Sequence, residues 1–277
     1  MLKLMYITNN LDVALVAQRY GVDRIWIDLE TEGKEERQRG LDTVKSKHTI
    51  SDIYKIKPFL TTSKMLVRIN PWSERSPKEI DDVIKAGADI IMLPMWKSVS
   101  EVKKFINSVN GRCKTLLLLE TIAAEMCLDE VLSLQGIDEI HIGLNDLHLE
   151  YKLPWMFLLL ANGKVEEICS KIRKFGIPFG FGGIGLMGKG LKPSPEEIIL
   201  EHFRLGSTGV ILSRSFCNYE KIRDLSEIER IFSYGLNIVR EQEKKALSMT
   251  ADELNENKRL ILEGVNFTIN KMNNKEK

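Results

Sequence analysis

The strongest constraint on the fold is a repeated pattern in which a short apolar run is followed by a capped helix. The runs are continuously aliphatic rather than alternating, which is typical of parallel strands covered on both faces. Eight strands alternating with helices over roughly 245 residues predict an α/β fold, a (β/α)8 TIM barrel, for which about 250 residues is typical. The predicted strands are residues 4–8, 24–28, 65–69, 89–93, 115–119, 139–142, 177–181 and 209–212.

Helix starts are marked by capping boxes, in which Ser or Thr precedes Glu by three residues. Such boxes begin at Ser76, Ser98, Ser194 and Thr250. The last of them opens an apolar segment beyond the eighth strand. We therefore predict a barrel domain over residues 1–247. A C-terminal helical extension over residues 248–277 is expected to pack on the barrel or on a neighbouring subunit.

The composition excludes several classes of protein. Of the 277 residues, 43% are hydrophobic and 29% are charged, which are globular proportions and exclude a disordered chain. The formal net charge is +1, so no global field attracts nucleic acid or an anionic membrane. No apolar run approaches the roughly 20 residues of a membrane span, and the N-terminus lacks the apolar core of a signal peptide. We expect a cytoplasmic protein with no nucleic-acid or membrane partner.

Catalytic groups in a barrel lie at the C-terminal ends of the strands. The polar candidates there are Asp28 and Glu30 after the second strand, Arg68 in the third, Glu120 after the fifth and Asp146 after the sixth. A carboxylate that ends a run of four leucines, as Glu120 does, is costly unless it has a partner. Because the fifth and sixth strands are neighbours, Glu120 and Asp146 can share one hard cation, as Mg²⁺ is usually held. The alternative for each alone is a salt bridge or a helix cap.

Arg68 lies inside the apolar run 65–69. A guanidinium at such a position must meet an anion or a developing oxyanion. The alternative is a structural ion pair with Asp28 or Glu30.

The glycine-rich stretch 180–185 matches the dinucleotide-binding pattern Gly-x-Gly-x-x-Gly. A true fingerprint opens a helix at once. Here further glycine and proline residues follow, so no helix opens. We predict instead a mobile loop after the seventh strand that borders the active site, with phosphate binding by its N–H groups as the alternative.

Several stretches resemble the HpcH/HpaI aldolase and citrate lyase beta-subunit family, within the phosphoenolpyruvate/pyruvate barrel superfamily. They are residues 21–30, 67–71, 86–94, 119–121, 128–131 and 136–147. The similarity runs from Leu4 to Phe216, nearly the whole barrel. The order and spacing of these stretches are specific for the family and much less specific for a substrate.

The resemblance implies a role for each candidate. Glu120 and Asp146 match the family's ligands to a divalent metal, which is Mg²⁺, Mn²⁺ or another divalent cation. Arg68 matches the arginine beside the keto or enolate oxygen. The carboxylate of a pyruvate-like substrate is received by backbone N–H groups of a turn formed by Gly143, Leu144, Asn145 and Asp146. The implied enzyme is a metal-dependent carbon–carbon lyase of the class II aldolase type, a homo-oligomer that acts on a keto acid and an aldehyde.

The sequence departs from the family directly after the second strand. Many family aldolases have a histidine there, and the order Asp28-Leu29-Glu30-Thr31 has none. Asp28, Glu30 and Arg68 remain candidate catalytic residues. His48, in the long insert 31–48, can replace the missing base; a solvated loop histidine is the alternative.

The same departure leaves two other functions open. The Asp-Leu-Glu order favours the citrate lyase-like branch, which implies an acyl-CoA thioester as substrate, although Thr31 and Met95 depart from that branch. The missing histidine also allows a catalytically silent barrel that acts as a binding or scaffold subunit.

Overall fold

The eight strands form a closed parallel barrel in sequence order, as the sequence predicts. The computed structural model describes residues 1–32 and 47–274. The strands are β1 (Lys3–Ile7), β2 (Arg24–Asp28), β3 (Lys64–Arg68), β4 (Ile90–Leu93), β5 (Lys114–Leu119), β6 (Glu139–Ile142), β7 (Phe179–Ile184) and β8 (Gly209–Leu212). Most strand residues are buried, as expected of strands covered on both faces.

Helices connect the strands and continue after β8. They are α1 (Leu11–Arg19), α2 (Ile50–Ile56), α3 (Ser76–Ala86), α4 (Val99–Val109), α5 (Ile122–Met126), α6 (Leu128–Leu132), α7 (Leu144–Glu150), α8 (Leu158–Ala161), α9 (Lys164–Lys174), α10 (Pro195–Leu205), α11 (Leu225–Ser248) and α12 (Ala251–Asn273). Within the described ranges, no helix combines the length and the apolarity that crossing a membrane requires.

The chain divides into two compact units, and the N-terminal unit is Met5–Ile140. Its core is built from the aliphatic side chains of β2 to β5, which are almost fully buried. A buried ion pair joins the beginnings of two strands, because Arg24 Nη2 lies 2.6 Å from both carboxylate oxygens of Glu139. The carboxylate of Glu139 thereby compensates the buried charge of Arg24 at the N-terminal end of β2.

The C-terminal unit is Met1–Leu4 together with His141–Lys277. The buried carboxylate of Glu243 on α11 accepts a hydrogen bond of 2.6 Å from the Leu2 N–H. On α12, Asn257 Nδ2 donates to the Glu197 carbonyl at 3.0 Å and to the Glu201 carboxylate at 3.2 Å. The predicted C-terminal helix therefore packs on α10 of its own chain.

Two of the four capping boxes have the predicted form. At Ser194 and Thr250 the side chain accepts the backbone N–H three residues on, and the Glu there accepts the N–H of the cap. Ser98 also caps α4 by accepting the Glu101 N–H. The prediction at Ser76 was wrong, because α3 begins at Ser76 itself with Arg75 as its N-cap. The Glu79 side chain binds Asn70 instead.

The seventh strand lies later in the chain than predicted, at Phe179–Ile184 instead of residues 177–181. Pro178 has no N–H for a ladder, and β7 begins after it, at Phe179. The predicted glycine-rich loop is therefore mostly strand. Glycine is needed here because a Cβ at Gly180 would lie 2.3 Å from the Gly209 carbonyl oxygen and 2.8 Å from His141 Nδ1. The expectation that no helix opens at this motif is confirmed.

Candidate active site

Arg68 lies in a buried ion cluster at the ends of β2 and β3. Its Nε donates to Asp28 Oδ1 at 2.8 Å, and its Nη2 donates to Asp28 Oδ2 at 2.9 Å. Nη2 also lies 3.1 Å from Glu30 Oε2. The β2–β3 register aligns Asp28 with Arg68, which explains the bidentate geometry. The anionic partner that Arg68 requires is supplied by Asp28 and Glu30, the alternative that the sequence left open.

The cluster keeps Arg68 charged. Burial acts to lower the pKa of its guanidinium, but the charges of Asp28 and Glu30 outweigh burial, and Glu120 adds to their effect. The pKa of Arg68 is therefore raised above its ordinary value. The guanidinium carbon also lies 5.1 Å from the centre of the Trp26 ring, within the range of a cation–π contact.

Three buried carboxylates lie near this arginine. Asp28, Glu30 and Glu120 are only 3%, 2% and 2% exposed. Arg68 pairs with Asp28 and Glu30. Buried carboxylates are costly unless cations or hydrogen bonds compensate them.

Glu120 is held at the end of β5 by the backbone. Its Oε1 accepts the Met95 N–H at 3.1 Å. Met95 has φ of 52°, a left-handed conformation that a residue with a Cβ rarely adopts and that costs roughly 1–2 kcal/mol. This strained turn after β4 orients its N–H toward the carboxylate, so a backbone donor helps to define the rotamer of Glu120.

The segment after Glu30 is fixed by Asn70. Asn70 Oδ1 accepts the N–H groups of Thr31 at 2.9 Å and of Glu32 at 3.1 Å. Asn70 Nδ2 in turn donates to Glu79 Oε1 at 2.8 Å. Burial raises the pKa of Glu79, although its hydrogen bonds from Asn70 act against this. The ends of β2 and β3 are thus tied together outside the ion cluster.

The structure brings His48 to the end of β2. Its Nδ1 lies 3.0 Å from the Asp28 backbone nitrogen and accepts that N–H. The Nδ1 atom therefore carries no proton, and the ring is neutral. Most of the insert that contains His48, residues 33–46, lies outside the described residues. The catalytic role of His48 stays a prediction.

The predicted carboxylate-binding turn lies in the C-terminal unit and forms the start of α7. Gly143 is the N-cap, Leu144 is buried, Asn145 is exposed, and Asp146 is half-buried in the first turn. The first N–H groups of a helix have no acceptor within the helix, so this turn can receive an anion. Its role with a substrate stays a prediction.

Glu120 belongs to the N-terminal unit and Asp146 to the C-terminal unit. A cation shared by the two stays a prediction. Among residues 1–32 and 47–274, no three His, Cys, Asp or Glu side chains are grouped as metal ligands. A cation held by two carboxylates would therefore complete its coordination with water or substrate, which is common for Mg²⁺.

The sequence did not reveal two contacts of this site. The first is the Trp26 ring beside Arg68. The signal for it was the spacing, since Trp26 precedes Asp28 by two residues and shares its strand face. The second is the Met95 N–H on Glu120, which depends on a backbone conformation that no side-chain pattern reports.

A pair of buried histidines lies in the C-terminal unit. His141 Nε2 is 3.1 Å from the Gly182 carbonyl oxygen, which can only accept, so this nitrogen donates. The His202 ring stacks on Phe181 at 3.8 Å between ring centres, and its Nδ1 is 2.7 Å from Ser207 Oγ. In the part of the chain that the structure describes, His202 Nε2 has no hydrogen-bond partner. Burial, together with the nearby His141, holds the pKa of His202 well below its usual 6.5.

We expect the free energy of unfolding to fall as the pH drops below about 6.5, in part because of His202. The unfolded chain gains a proton at this histidine near that pH, whereas the folded chain does not. The stability that the neutral His202 contributes is complete above the pKa of histidine in the unfolded chain. Below that pKa it is lost by up to about 1.4 kcal/mol per pH unit. Urea unfolding between pH 8 and pH 5 measures this slope. His202→Gln should flatten it, and an unchanged slope would contradict the assignment.

Comparisons with known proteins identify the family of the chain. A family model described as HpcH/HpaI aldolase/citrate lyase matches residues 3–159, more than half of the chain. The chain belongs to the HpcH/HpaI aldolase/citrate lyase family. The matched segment contains Asp28, Glu30, Arg68, Glu120 and the Gly143–Asp146 turn. Membership in this family supports lyase chemistry of its superfamily. No curated protein matches the sequence.

Solved structures share the fold at low sequence identity. The HpcH/HpaI aldolase from Desulfitobacterium hafniense DCB-2 is 14% identical with a TM-score of 0.57, over 82% of this chain and 92% of that one. The citrate synthase SbnG is 16% identical with a TM-score of 0.57, over 87% and 94%. An HpcH/HpaI aldolase/citrate lyase family protein from Burkholderia cenocepacia J2315 is 12% identical with a TM-score of 0.55, over 81% and 93%. At these identities the likeness shows the fold of the family.

Proposed function

We propose that the protein is a divalent-metal-dependent carbon–carbon lyase that forms or cleaves a bond to a pyruvate-type enolate. The observation that carries this proposal is the buried cluster of Arg68 with carboxylates at the C-terminal ends of the strands, where a barrel places its catalytic groups. Asp28, Glu30 and Glu120 are nearly inaccessible to solvent, and Arg68 pairs with Asp28 and Glu30. Carboxylate oxygens at this position are suited to a hard divalent cation. Membership in a family of aldolases and lyases supports the same chemistry.

The oxygen donors of this chain fit a hard divalent cation. Glu120 and Asp146 would hold it, with Mg²⁺ or Mn²⁺ as the expected ion. When bound, such a cation supplies Lewis-acid polarisation of a keto carbonyl and so acidifies the adjacent methyl group. The N–H groups of the Gly143–Asp146 turn would receive the substrate carboxylate, as the start of a helix can.

Arg68 is oriented to stabilise the enolate oxygen. Its Nε and Nη2 make the hydrogen bonds to Asp28, so Nη1 is the nitrogen available to donate to a substrate. The bidentate pair fixes the plane of the guanidinium before substrate arrives. A donor that is already oriented does not have to reorganise as charge develops on the oxygen, and this is the basis of oxyanion stabilisation.

His48 is the proposed base that moves the methyl proton. Asp28 and Glu30 both pair with the Arg68 guanidinium. The neutral His48 ring has an unprotonated Nδ1 that accepts the Asp28 N–H. The ring must break its hydrogen bond with the Asp28 N–H before Nδ1 can take a proton. His48→Gln removes this base, so it should slow methyl exchange while the Arg68 cluster stays intact.

The experiment is exchange of the pyruvate methyl protons in D₂O, followed by NMR with and without Mg²⁺. We expect exchange that requires the metal and is abolished by a chelator. Absence of both exchange and Mg²⁺ binding would instead favour a catalytically silent barrel and would reject the proposal.

A second candidate function is that of a lyase that cleaves a carbon–carbon bond in an acyl-CoA thioester. The order Asp28-Leu29-Glu30 favours it, and the structural similarity to the citrate synthase SbnG is compatible with it. Titration of pyruvate against acetyl-CoA separates the two functions. Exchange of the acetyl protons of the thioester, with none on pyruvate, would favour this second function.

We also propose that the protein is a homo-oligomer that uses the C-terminal helix. Leu262, Phe267 and Met272 on α12 are 43%, 60% and 40% exposed, although α12 already packs on α10. Exposed apolar side chains on one helix are expected to be covered in an assembly. Truncation after Leu247 should therefore lower the mass measured by light scattering. A full-length chain that is monomeric at micromolar concentration would contradict this prediction.

A further inference from the structure

A second concave site lies at the C-terminal ends of β7 and β8, within the C-terminal unit. It is a cavity of about 680 Å³. Its walls are the segment after β7, the segment after β8 and the first turns of α11. None of the residues assigned to catalysis above lines it. In TIM barrels the segments after the seventh and eighth strands are a frequent site of phosphate binding.

The floor of this cavity is already formed. The Leu186 N–H donates to the Ser215 carbonyl at 3.1 Å, which ties the two segments together. Phe216 is only 2% exposed and lies against α11. A Cβ at Gly235 of α11 would lie 2.7 Å from the Phe216 ring and 2.8 Å from Leu186 Cδ1. Glycine at this position lets both apolar side chains seat closely, so the floor needs no rearrangement to accept a ligand.

The rim of the cavity is positively charged. Lys189, Arg214 and Arg230 line it, and Glu227 is the one carboxylate among its lining residues. Among the residues that the structure describes, neither Lys189 nor Arg230 pairs with a carboxylate. The cavity therefore combines these two cations with an apolar floor.

We propose that this cavity binds a phosphate monoester that carries an apolar or aromatic group. A phosphate dianion matches the charges of Lys189 and Arg230, and Arg230 can contact it through a planar fork. The apolar part of the ligand would lie against the half-buried Ile222 and Ile231 and against Tyr234, which is 58% exposed at the rim. This inference does not depend on the proposed lyase activity. The ligand is either a phosphorylated co-substrate or a phosphorylated effector.

Calorimetry with phenyl phosphate tests the proposal on the full chain. Chelator is present and pyruvate is absent, so a failure of the lyase assignment cannot affect the result. We expect phenyl phosphate to bind at least about tenfold more tightly than inorganic phosphate, because the ring adds contact with these apolar side chains. Benzyl alcohol, which lacks the charge, should not bind measurably.

Matched variants locate the site. Lys189→Gln and Arg230→Gln should each weaken the binding of phenyl phosphate by about tenfold or more. Glu227→Gln should strengthen this binding, because it removes a negative charge from the cavity. The control is Lys174→Gln, an equal loss of charge on an exposed residue of α9 outside the cavity, and it should leave binding unchanged. Equal effects of the control and the lining variants, or no binding of phenyl phosphate to the wild-type chain, would overturn the proposal.

The two sources of the ligand are separated with 4-formylphenyl phosphate, an aromatic phosphate monoester that carries an aldehyde, as the probe. Binding to the cavity with consumption of the aldehyde and pyruvate together would identify a phosphorylated co-substrate. Binding with the same dependence on Arg230, but without consumption, would identify an effector site. Binding that is insensitive to Arg230→Gln would reject this cavity as the phosphate site.

Discussion

Replacing Arg68 with methionine is expected to lower the free energy of unfolding by about 3–5 kcal/mol and to abolish pyruvate methyl exchange. The stability loss follows because Asp28 and Glu30 would stay buried without their counter-charge. Arg68→Lys keeps a positive charge and should lose less stability. It loses the planar fork that fixes the side chain, so exchange should still fall by about a hundredfold or more. Urea unfolding and exchange per folded molecule measure the two effects.

Arg24 provides the matched control for this experiment. Arg24 is also a buried arginine, and it pairs with both carboxylate oxygens of Glu139. It lies at the start of β2, whereas the Arg68 cluster lies at the ends of β2 and β3. Arg24→Met should destabilise the protein by a similar amount and leave exchange per folded molecule near the wild-type rate. If Arg24→Met reduces exchange as much as Arg68→Met does, Arg68 is a structural residue and its proposed contact with the enolate is wrong.

Most of the fold could be predicted because the parallel strands have no polar alternation to obscure them. The predicted bounds of β2, β6 and β8 match the structure. The predicted bounds of β7 were wrong because a sequence pattern associates its glycines with a loop. In the structure, the close approach of His141 and of the neighbouring strand requires glycine at Gly180. The capping box at Ser76 failed for a similar reason, since Glu79 binds Asn70, a residue nine positions earlier.

The candidate site could be predicted as a set of residues but not as a set of contacts. Polar residues that end apolar strands identified Asp28, Arg68 and Glu120. The partner of Arg68 depends on strand register, which aligns Asp28 with it and which the sequence leaves undetermined. The contact of His48 with Asp28 spans twenty positions and an insert of no recognisable pattern, so only the structure reveals it.

Loss of the metal is the second large effect, and Glu120→Gln is the variant that tests it. Glutamine keeps an oxygen that can accept the Met95 N–H, so the turn after β4 and the fold should be preserved. It removes the negative charge that a hard cation requires. We expect Mg²⁺ affinity to fall by about a hundredfold or more, because even the loss of a residue that only supports a metal ligand costs about 10–100-fold. Methyl exchange should fall below detection at physiological Mg²⁺.

Glu79→Gln is the control for removing a carboxylate. Its side chain is partly buried and binds Asn70, and glutamine can still accept that hydrogen bond. Mg²⁺ affinity should stay near that of the wild-type chain, as measured by calorimetry. A hundredfold loss in this control would mean that affinity responds to any nearby charge rather than to a ligand.

A double-mutant cycle decides whether Glu120 and Asp146 bind the same ion. Asp146→Asn alone should weaken Mg²⁺ binding to a similar extent as Glu120→Gln does. Two ligands of one cation act as a unit, so their effects should not add, and the double variant should bind little more weakly than the worse single variant. If the two losses add in full, the carboxylates act on separate sites. The proposal that the two carboxylates share one cation would then be wrong.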